Sequence, residues 1–229
     1  MRKFLSILEF VILIMLGIAS ELFTIPHGNK EFNNYIEQHK TKNIVRIFNG
    51  HDISNLQLVL GKKNASKEKL YSIKDSAIYF NGGFKGYLRT REKYSNFYLH
   101  AEWKWLEKSE KGNSGILVFI QPPDTVWPKC IQINFKEKHA GDLIAMNGAE
   151  FKEAEGKPKN TVVIFSKPSE KPIGEWNLCD IKCVGNSMSI YINGVLQNKA
   201  TKISTSNGMI GWQLEGKAVA LKNIYLINY

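Results

Sequence analysis

A carboxylate and an ammonium group stand two residues apart at Glu102 and Lys104, within the segment Phe97–Trp105. Polar and apolar side chains alternate along this segment, and successive side chains of a β-strand point to opposite faces. Glu102 and Lys104 therefore share the polar face of a predicted strand, while Trp103 and Trp105 face the core. Such a pair can supply a general base and a cation that stabilises developing negative charge. The alternative is an exposed ion pair worth about 0.5 kcal/mol.

A second segment, Cys130–Phe135, repeats the alternation and places Gln132 and Asn134 on its polar face. If both predicted strands lie in the same sheet, their polar faces form one continuous surface. We predict this shared surface, with Glu102 and Lys104 beside the two amides, as the functional site.

The composition is that of a globular protein and allows one large domain or two small ones. The 229 residues are 43% hydrophobic and 23% charged, with no low-complexity run. The formal charge of +10 comes from 31 Lys and Arg against 21 Asp and Glu, and it is spread over the chain rather than concentrated in one stripe. We therefore predict a solvated basic surface and no nucleic-acid partner.

The N-terminus has the pattern of a secretory signal peptide over residues 1–20. A basic start precedes an apolar run at residues 11–18, and Ala19 and Ser20 are small residues suited to cleavage. The alternative is an uncleaved membrane anchor, but Glu9 interrupts the run and leaves it shorter than the ~20 apolar residues of a spanning helix. The sequence therefore predicts a secreted or periplasmic protein with no stable membrane anchor after cleavage.

The remainder of the chain predicts β-strands and tight turns. Short apolar runs are separated by Asx and Gly turns about ten residues apart, and no long stretch shows a period of 3.6. Asn193-Gly194 is the strongest hairpin signal, because a type I′ turn requires positive φ at both central residues. We predict an N-terminal extension at residues 21–43 and an all-β sandwich or barrel over residues 44–229.

The three cysteines are expected to be buried free thiols. Cys179 and Cys183 lie on one predicted strand, about 13 Å apart, which exceeds the ~7 Å limit between the Cα atoms of a disulfide. A bond from either one to Cys130 stays open. No histidine stands at a spacing that would complete a zinc site with them.

Seven short motifs follow one another between Ile44 and Tyr229, and together they resemble the 3-keto-disaccharide hydrolase domain family. The resemblance implies a concanavalin A-like jelly roll of two curved antiparallel sheets with a sugar-binding concave face. The motifs are Phe48-Asn49-Gly50, Gly86-Tyr87-Leu88-Arg89-Thr90, Glu102-Trp103-Lys104, Gly112-Asn113-Ser114-Gly115-Ile116, Gly174-Glu175-Trp176-Asn177, Ile192-Asn193-Gly194 and Gly208–Gly216.

The resemblance implies cleavage of 3-keto glycosides. A ketone at C3 acidifies the C2 hydrogen, so a base can abstract it while the oxygen at C1 leaves, and water addition then gives net hydrolysis. Glu102 is the predicted base and Lys104 the predicted enolate stabiliser. The family pattern Glu-x-Gln aligns with Gln132-Ile133-Asn134, where an amide cannot accept a proton as a carboxylate does. That departure favours the alternative, a non-catalytic carbohydrate-binding module.

His139 and Asp142 are further candidates, in a loop after the second segment. They can move a proton or bind a divalent cation, which is the one cofactor that the sequence suggests. His100 is expected to be a half-exposed structural residue. The predicted substrate-binding residues are Arg89, Asn113, Ser114, Trp127, Gln132, Asn134, Asp142 and Gln213.

Several of these candidates have a structural alternative. Arg89 can form an exposed salt bridge, and Asn113 and Ser114 can simply form a turn. Trp127 is the predicted sugar platform, whereas Trp176 is expected to be a packing anchor. The remaining tryptophans, Trp103, Trp105 and Trp212, are expected in the core.

Overall fold

The computed structural model describes residues 44–61, 70–106 and 113–228. The predicted signal peptide and N-terminal extension lie outside these residues. No helix in the described ranges combines the length and the apolar character that a membrane span requires.

The described residues form fifteen β-strands and two short 3-10 helices, Lys152–Ala154 and Pro158–Asn160. In chain order the strands are β1 (Ile44–Arg46), β2 (Leu56–Leu60), β3 (Tyr71–Lys74), β4 (Ala77–Phe80), β5 (Lys85–Thr90), β6 (Phe97–Trp105), β7 (Asn113–Ile120), β8 (Cys130–Asn134), β9 (Leu143–Met146), β10 (Thr161–Val162), β11 (Asn177–Val184), β12 (Ser187–Ile192), β13 (Val195–Ala200), β14 (Met209–Glu215) and β15 (Val219–Asn228).

The strands form two antiparallel sheets, which confirms the predicted all-β sandwich. The first sheet has the order β13-β12-β11-β6-β15-β4-β3, with β1 also pairing with β15. The second sheet has the order β10-β9-β8-β7-β14-β5-β2. Each strand therefore turns one face to the space between the sheets and the other face outward.

A single apolar core fills the space between the sheets. The three tryptophans predicted for the core are buried there, as expected: Trp103, Trp105 and Trp212. The ring of Trp103 stacks on that of Phe135 with centroids 4.4 Å apart, and Nε1 of Trp105 donates to the carbonyl oxygen of Phe135 over 3.0 Å. Because Trp105 lies in the first sheet and Phe135 directly follows β8 in the second, these contacts hold the two sheets together.

The predicted hairpin at Asn193-Gly194 is confirmed between β12 and β13. Both turn residues have positive φ, 49° and 81°, which the backbone of a type I′ turn requires. Oδ1 of Asn193 also accepts a hydrogen bond from the backbone N–H of Leu178 over 2.9 Å. The turn therefore fixes the β12–β13 pair and ties it to β11.

The prediction that Glu102 and Lys104 share a surface with Gln132 and Asn134 is wrong. Strand β6, which carries the charged pair, belongs to the first sheet, whereas β8 belongs to the second. Alternation correctly showed which side of each strand faces the core, but it does not say which of two packed sheets a strand joins. The apolar core separates the two polar pairs.

Candidate functional site

Five predicted substrate-binding residues come together on the outer face of the second sheet. Their neighbours along the chain, including Leu88, Ile133 and Trp212, face the interior core, so the alternate residues point outward. Strand pairing aligns Arg89 with Gly211, Gly211 with Leu117, and Leu117 with Gln132. The five are Arg89, Asn113, Gln132, Asn134 and Gln213.

Amides and one carboxylate form a network on this face. Nε2 of Gln132 donates to Oδ1 of Asn113 over 3.3 Å, and Nδ2 of Asn113 donates to Oε2 of Glu215 over 3.2 Å. Nε2 of Gln213 also donates to Oε2 of Glu215, over 3.3 Å. The ammonium of Lys85 lies 3.6 Å from Oε1 of the same carboxylate. Glu215 is therefore surrounded by groups that can orient a polar ligand.

A glycine at the centre of the network lets its members meet. Gln132 pairs in register with Leu117, yet its amide reaches Asn113 by passing Gly115, which has no side chain. A Cβ atom at position 115 would stand 2.2 Å from the carbonyl oxygen of Ile133, closer than any van der Waals contact allows. Gly115 therefore permits both the close approach of β7 to β8 and the amide contact above them.

Gln213 retains hydrogen-bonding capacity that the described residues do not use. Its side chain is buried, and Oε1 accepts no hydrogen bond within the described part of the chain. Buried polar atoms are normally paired, and those left without a partner at a site are candidates for ligand contact. Oε1 of Gln213 is thus available to accept a hydrogen bond from a ligand hydroxyl.

Arg89 forms a bidentate ion pair with Asp124, a residue of the loop 121–129 between β7 and β8. The distances are 2.9 Å from Nε to Oδ1 and 2.7 Å from Nη2 to Oδ2. Gln57 and Tyr87 donate further hydrogen bonds to the same carboxylate, over 3.2 and 3.3 Å. Arg89 therefore forms the salt bridge that was the structural alternative, but the arginine is buried rather than exposed.

The loop 121–129 therefore crosses the outer face of the second sheet. Asp124 is anchored above β5 and β2, and Val126 lies against Gly61 at the end of β2. The face carries a small apolar cluster of its own, separate from the interior core. Its buried members are Tyr87, Leu117, Ile120, Cys130 and Met209.

Neither Tyr87 nor Cys130 is set up as a nucleophile. Burial raises the pKa of the Cys130 thiol to about 12, so it stays protonated at neutral pH. Burial, followed by the nearby charge of Asp124, also raises the pKa of the Tyr87 hydroxyl well above its usual range. All three cysteines are free and buried, which confirms the prediction of unpaired thiols.

Trp127 lies in the same loop with its ring partly exposed. Its carbonyl oxygen accepts hydrogen bonds from Oγ1 of Thr125, over 2.9 Å, and from Nδ2 of Asn147. These contacts fix the backbone at Trp127 and leave the ring accessible. Its role as a sugar platform stays a prediction.

The other candidates in the second sheet contact parts of the fold rather than this network. Ser114 lies in β7 instead of a turn, and its buried hydroxyl donates to the carbonyl oxygen of Gln213 over 2.6 Å. Nδ1 of His139 lies 2.9 Å from Oδ2 of Asp142, whose Oδ1 accepts the backbone N–H of Ile164 over 2.8 Å. Within the described ranges, no cluster of three or more His, Cys, Asp or Glu could hold a metal ion.

Glu102 and Lys104 lie on the outer face of the first sheet. Oε1 of Glu102 accepts a hydrogen bond from Nδ2 of Asn223 over 2.6 Å, and Oε2 lies 3.4 Å from the ammonium of Lys222. A ligand held by Arg89 and Gln132 is separated from Glu102 by the core of the sandwich. The catalytic roles of Glu102 and Lys104 stay predictions, and the Glu102→Gln variant described below would test that of Glu102.

His100 is a structural residue, but it is fully buried rather than half-exposed. Its Nδ1 lies 2.6 Å from Oδ1 of Asp180, and its ring stacks on that of Tyr225 with centroids 4.8 Å apart. The prediction failed on exposure because alternation places His100 on the outward side of β6 without showing what packs over it.

Two carboxylates of the candidate site were not predicted. Glu215 could have been found, since it stands two residues after Gln213 and therefore on the same face of β14. Asp124 gave no signal in the sequence, because nothing in the loop after Pro122-Pro123 shows which strand it contacts. Its role depends on the path of the loop over the sheet.

Comparison with known proteins identifies this sandwich as a carbohydrate-active jelly-roll domain. The family model of the 3-keto-alpha-glucoside-1,2-lyase-like domain matches residues 43–227. The chain therefore belongs to this family, and the resemblance described from its motifs is confirmed. No curated protein sequence matches the chain significantly.

Solved structures show the same fold at low sequence identity. A candidate glycosyl hydrolase of Parabacteroides distasonis is 20% identical with a TM-score of 0.62, over 84% of this chain and 97% of that one. The β-glucanase of Bacillus licheniformis is 15% identical with a TM-score of 0.59, over 82% and 99%. The carbohydrate-binding module CBM66 of Bacillus subtilis is 10% identical with a TM-score of 0.55, over 76% and 96%. The predicted concanavalin A-like jelly roll is thus confirmed. The family match, over residues 43–227, identifies the protein as a glycosyl hydrolase-like, carbohydrate-active domain.

Proposed function

We propose that the protein cleaves 3-keto glycosides on the outer face of the second sheet, by elimination followed by addition of water. The observation that carries the proposal is the environment of Glu215. Its carboxylate receives hydrogen bonds from two amides, and its side chain is 22% exposed. Asp124, a second carboxylate over this face, is paired with Arg89. Elimination requires only one base, whereas common glycoside hydrolysis requires two carboxyl groups.

In this mechanism Glu215 accepts the proton from C2 of the sugar. The electrons of the C2–H bond form the enolate of the C3 ketone, and they then form the C1=C2 bond as the glycosidic oxygen leaves. The leaving oxygen takes up a proton from the ammonium of Lys85, which lies 3.6 Å from Oε1 of Glu215 and is the proposed general acid. Water then adds to C1 of the enone and completes the cleavage.

Amide donors on the same face stabilise the enolate oxygen and orient the sugar. Asn113, Gln132 and Gln213 are already linked to one another or to Glu215 by hydrogen bonds of 3.2–3.3 Å. A preorganised N–H group aimed at a developing negative charge is worth more than the same group in water. In this proposal the amides stabilise the enolate, which is the role that the sequence predicted for Lys104.

Arg89 lies where the second sugar of a disaccharide would bind. Its strand partner Gly211 stands four residues before Glu215 on β14, a separation of about 13 Å along the strand. This distance is comparable to the length of a disaccharide. For a sugar hydroxyl to reach the guanidinium, Asp124 must move away, because Arg89 now directs three of its N–H groups to Asp124 and Gln57.

The test compares wild type with Glu215→Gln and Glu102→Gln on a 3-keto disaccharide, with the anomeric signal followed by NMR. We expect Glu215→Gln to lower kcat by about 100-fold or more, since it removes a general base, and Glu102→Gln to change it by less than about threefold. Turnover that survives Glu215→Gln but not Glu102→Gln would contradict the proposal and move the chemistry to the first sheet.

The second candidate function is a non-catalytic carbohydrate-binding module. It is favoured by the amide at Gln132 and by Asp124, whose pairing with Arg89 leaves Glu215 as the accessible carboxylate among the described residues of the network. This function predicts saturable binding of a disaccharide by wild type, without any loss of the anomeric signal. Binding should then be lost in Gln132→Ala, while Glu102→Gln should bind as wild type does.

We also propose export of the protein, on the basis of the basic start and apolar run of residues 1–20. Mass spectrometry of the protein recovered from a cell envelope fraction should show a new N-terminus near Ala19 or Ser20. Recovery of the intact chain from the cytosol would contradict export.

A further inference from the structure

We propose that the outer face of the first sheet carries a second carbohydrate-binding site, which takes an anionic polysaccharide. The site is the Trp176 patch, defined by Tyr79, Glu102, Lys104, Trp176 and Lys222. The ammonium of Lys104 lies 4.7 Å from the centroid of the Trp176 ring, and that of Lys222 lies 4.4 Å from it. The ring of Tyr79 stands 5.9 Å from Lys104 on the other side of the patch. Two partly exposed aromatic rings therefore flank a pair of ammonium groups.

The patch has an excess positive charge that the described residues do not neutralise. Glu102 pairs with Lys222 and is itself almost completely buried, so it compensates one ammonium. Lys104 has no carboxylate within 4.0 Å in the described ranges, and its contacts there are with the two rings. A lysine ammonium has three N–H donors, which an anion can satisfy. One cation beside Trp176 is thus available for a ligand.

The combination of ammonium and aromatic groups favours a charged sugar. A sulfate or carboxylate on a sugar can pair with Lys104 while the apolar C–H surface of the same sugar contacts the ring of Trp176 or Tyr79. The net charge of +10 attracts polyanions towards the whole molecule. Because the protein is a carbohydrate-active domain, we assign the patch to a polysaccharide chain rather than to an isolated anion.

The proposed site is independent of the proposed catalytic face. Strands β6 and β15, which carry Lys104 and Lys222, lie in the first sheet, whereas Glu215 lies in the second. The patch could therefore hold a polymer while the opposite face acts on a small substrate. Binding at the patch is measurable whether or not the protein turns over a 3-keto glycoside, so the two proposals can fail separately.

The test measures binding of the purified protein to dextran sulfate, polygalacturonate and neutral dextran by isothermal titration calorimetry in about 0.15 M NaCl. Dextran sulfate and neutral dextran share a backbone and differ in charge, and polygalacturonate carries carboxylates in place of sulfates. We expect binding to one or both charged polymers and at least tenfold weaker binding to neutral dextran. Trp176→Ala and Lys104→Gln should each weaken the binding by about three- to tenfold.

Matched variants show whether the Trp176 patch itself is responsible for binding the charged polymers. Lys199→Gln removes an exposed lysine from β13 of the same sheet, and Phe165→Ala removes an exposed ring that belongs to neither proposed site. Both should bind the charged polymers within about twofold of wild type, and Trp176→Ala should keep its activity on small substrates. Equal losses in Lys199→Gln and Lys104→Gln would overturn the proposal, as would equally tight binding of inorganic polyphosphate, because both outcomes indicate attraction by charge alone.

Discussion

Asp124 anchors the loop 121–129 to the outer face of the second sheet. It binds Arg89 through two hydrogen bonds and also accepts donors from Gln57 and Tyr87. A bidentate pair of this kind fixes geometry as well as charge. The position of the loop 121–129 over the sheet therefore depends strongly on one carboxylate.

We predict that Asp124→Asn lowers the free energy of unfolding by about 2 kcal/mol, because it leaves the mostly buried charge of Arg89 unpaired. Urea unfolding followed by tryptophan fluorescence measures the change. The double variant Arg89→Leu with Asp124→Leu should lose less stability than the sum of the two single variants. Strict additivity of the two changes would contradict the pairing.

Glu153 gives the stability of the fold a defined pH dependence. Burial alone would raise its pKa, but hydrogen bonds from Thr201 outweigh this effect and hold the pKa of the carboxyl below its usual value of 4.5. The backbone N–H of Thr201 donates over 2.8 Å and its hydroxyl over 2.6 Å. A lowered pKa in the folded state means that the stabilisation is present above pH 4.5 and is lost as the pH falls through the folded pKa.

Glu153→Gln should therefore cost about 1 kcal/mol of unfolding free energy at pH 7. The difference from wild type should shrink as the pH is lowered below the ordinary carboxyl range, because the wild-type carboxyl then becomes protonated as well. Urea titrations at a series of pH values measure both effects. Glu155→Gln, at an exposed neighbouring position, serves as the control, and an equal pH dependence in the two variants would argue against the role of Thr201.

At the scale of the elements, the close pairing of β7 and β8 brings the amides of the site together. Gly115 pairs with Asn134 of β8, and a side chain at position 115 would collide with the carbonyl oxygen of Ile133. The same glycine leaves the gap that Gln132 crosses to reach Asn113. One residue without a side chain thus serves both the sheet and the site.

Gly115→Ala should destabilise the protein by about 3 kcal/mol or more, since it must push apart two strands in the middle of a sheet. Gly83→Ala is the matched control. Gly83 has a φ of +80° with no atom within 4 Å of an added Cβ, so only backbone strain of about 1 kcal/mol is expected there. The midpoints of urea unfolding report both changes, and similar values for the two variants would contradict the steric argument.

At the scale of the whole molecule, the two outer faces of the sandwich carry separate polar clusters. Glu102, Lys104 and Lys222 lie on one, and Asn113 and Glu215 on the other, with the core between them. Residues that share no partner and lie far apart contribute independently to stability. The separation can therefore be measured in solution.

We predict that Glu102→Gln and Glu215→Gln have additive effects on the free energy of unfolding, within about 0.5 kcal/mol. Asn113→Ala and Glu215→Gln, which remove two ends of one hydrogen bond, should instead show a coupling of about 1 kcal/mol. Double-mutant cycles in urea measure both. Coupling between Glu102 and Glu215 as large as that between Asn113 and Glu215 would contradict the arrangement of the sheets.

Local patterns in the sequence determined much of this protein. The period of two along β6, β8 and β14 correctly separated core from outward-facing side chains, and it placed Trp103, Trp105 and Trp212 in the interior. The Asn193-Gly194 turn followed from its backbone requirements, and the order of the motifs indicated the family. These properties depend on residues close together in the chain, so they can be inferred without the fold.

Only the tertiary structure decided which polar groups meet. Strands β6 and β7 follow each other in the chain but join different sheets, and alternation along a strand is the same in either sheet. The contact between Asp124 and Arg89 joins residues 35 positions apart through the path of a loop. The pairing of distant segments depends on the packing of the whole chain, and for that reason the sequence could not show that Glu102 and Gln132 lie on different sheets.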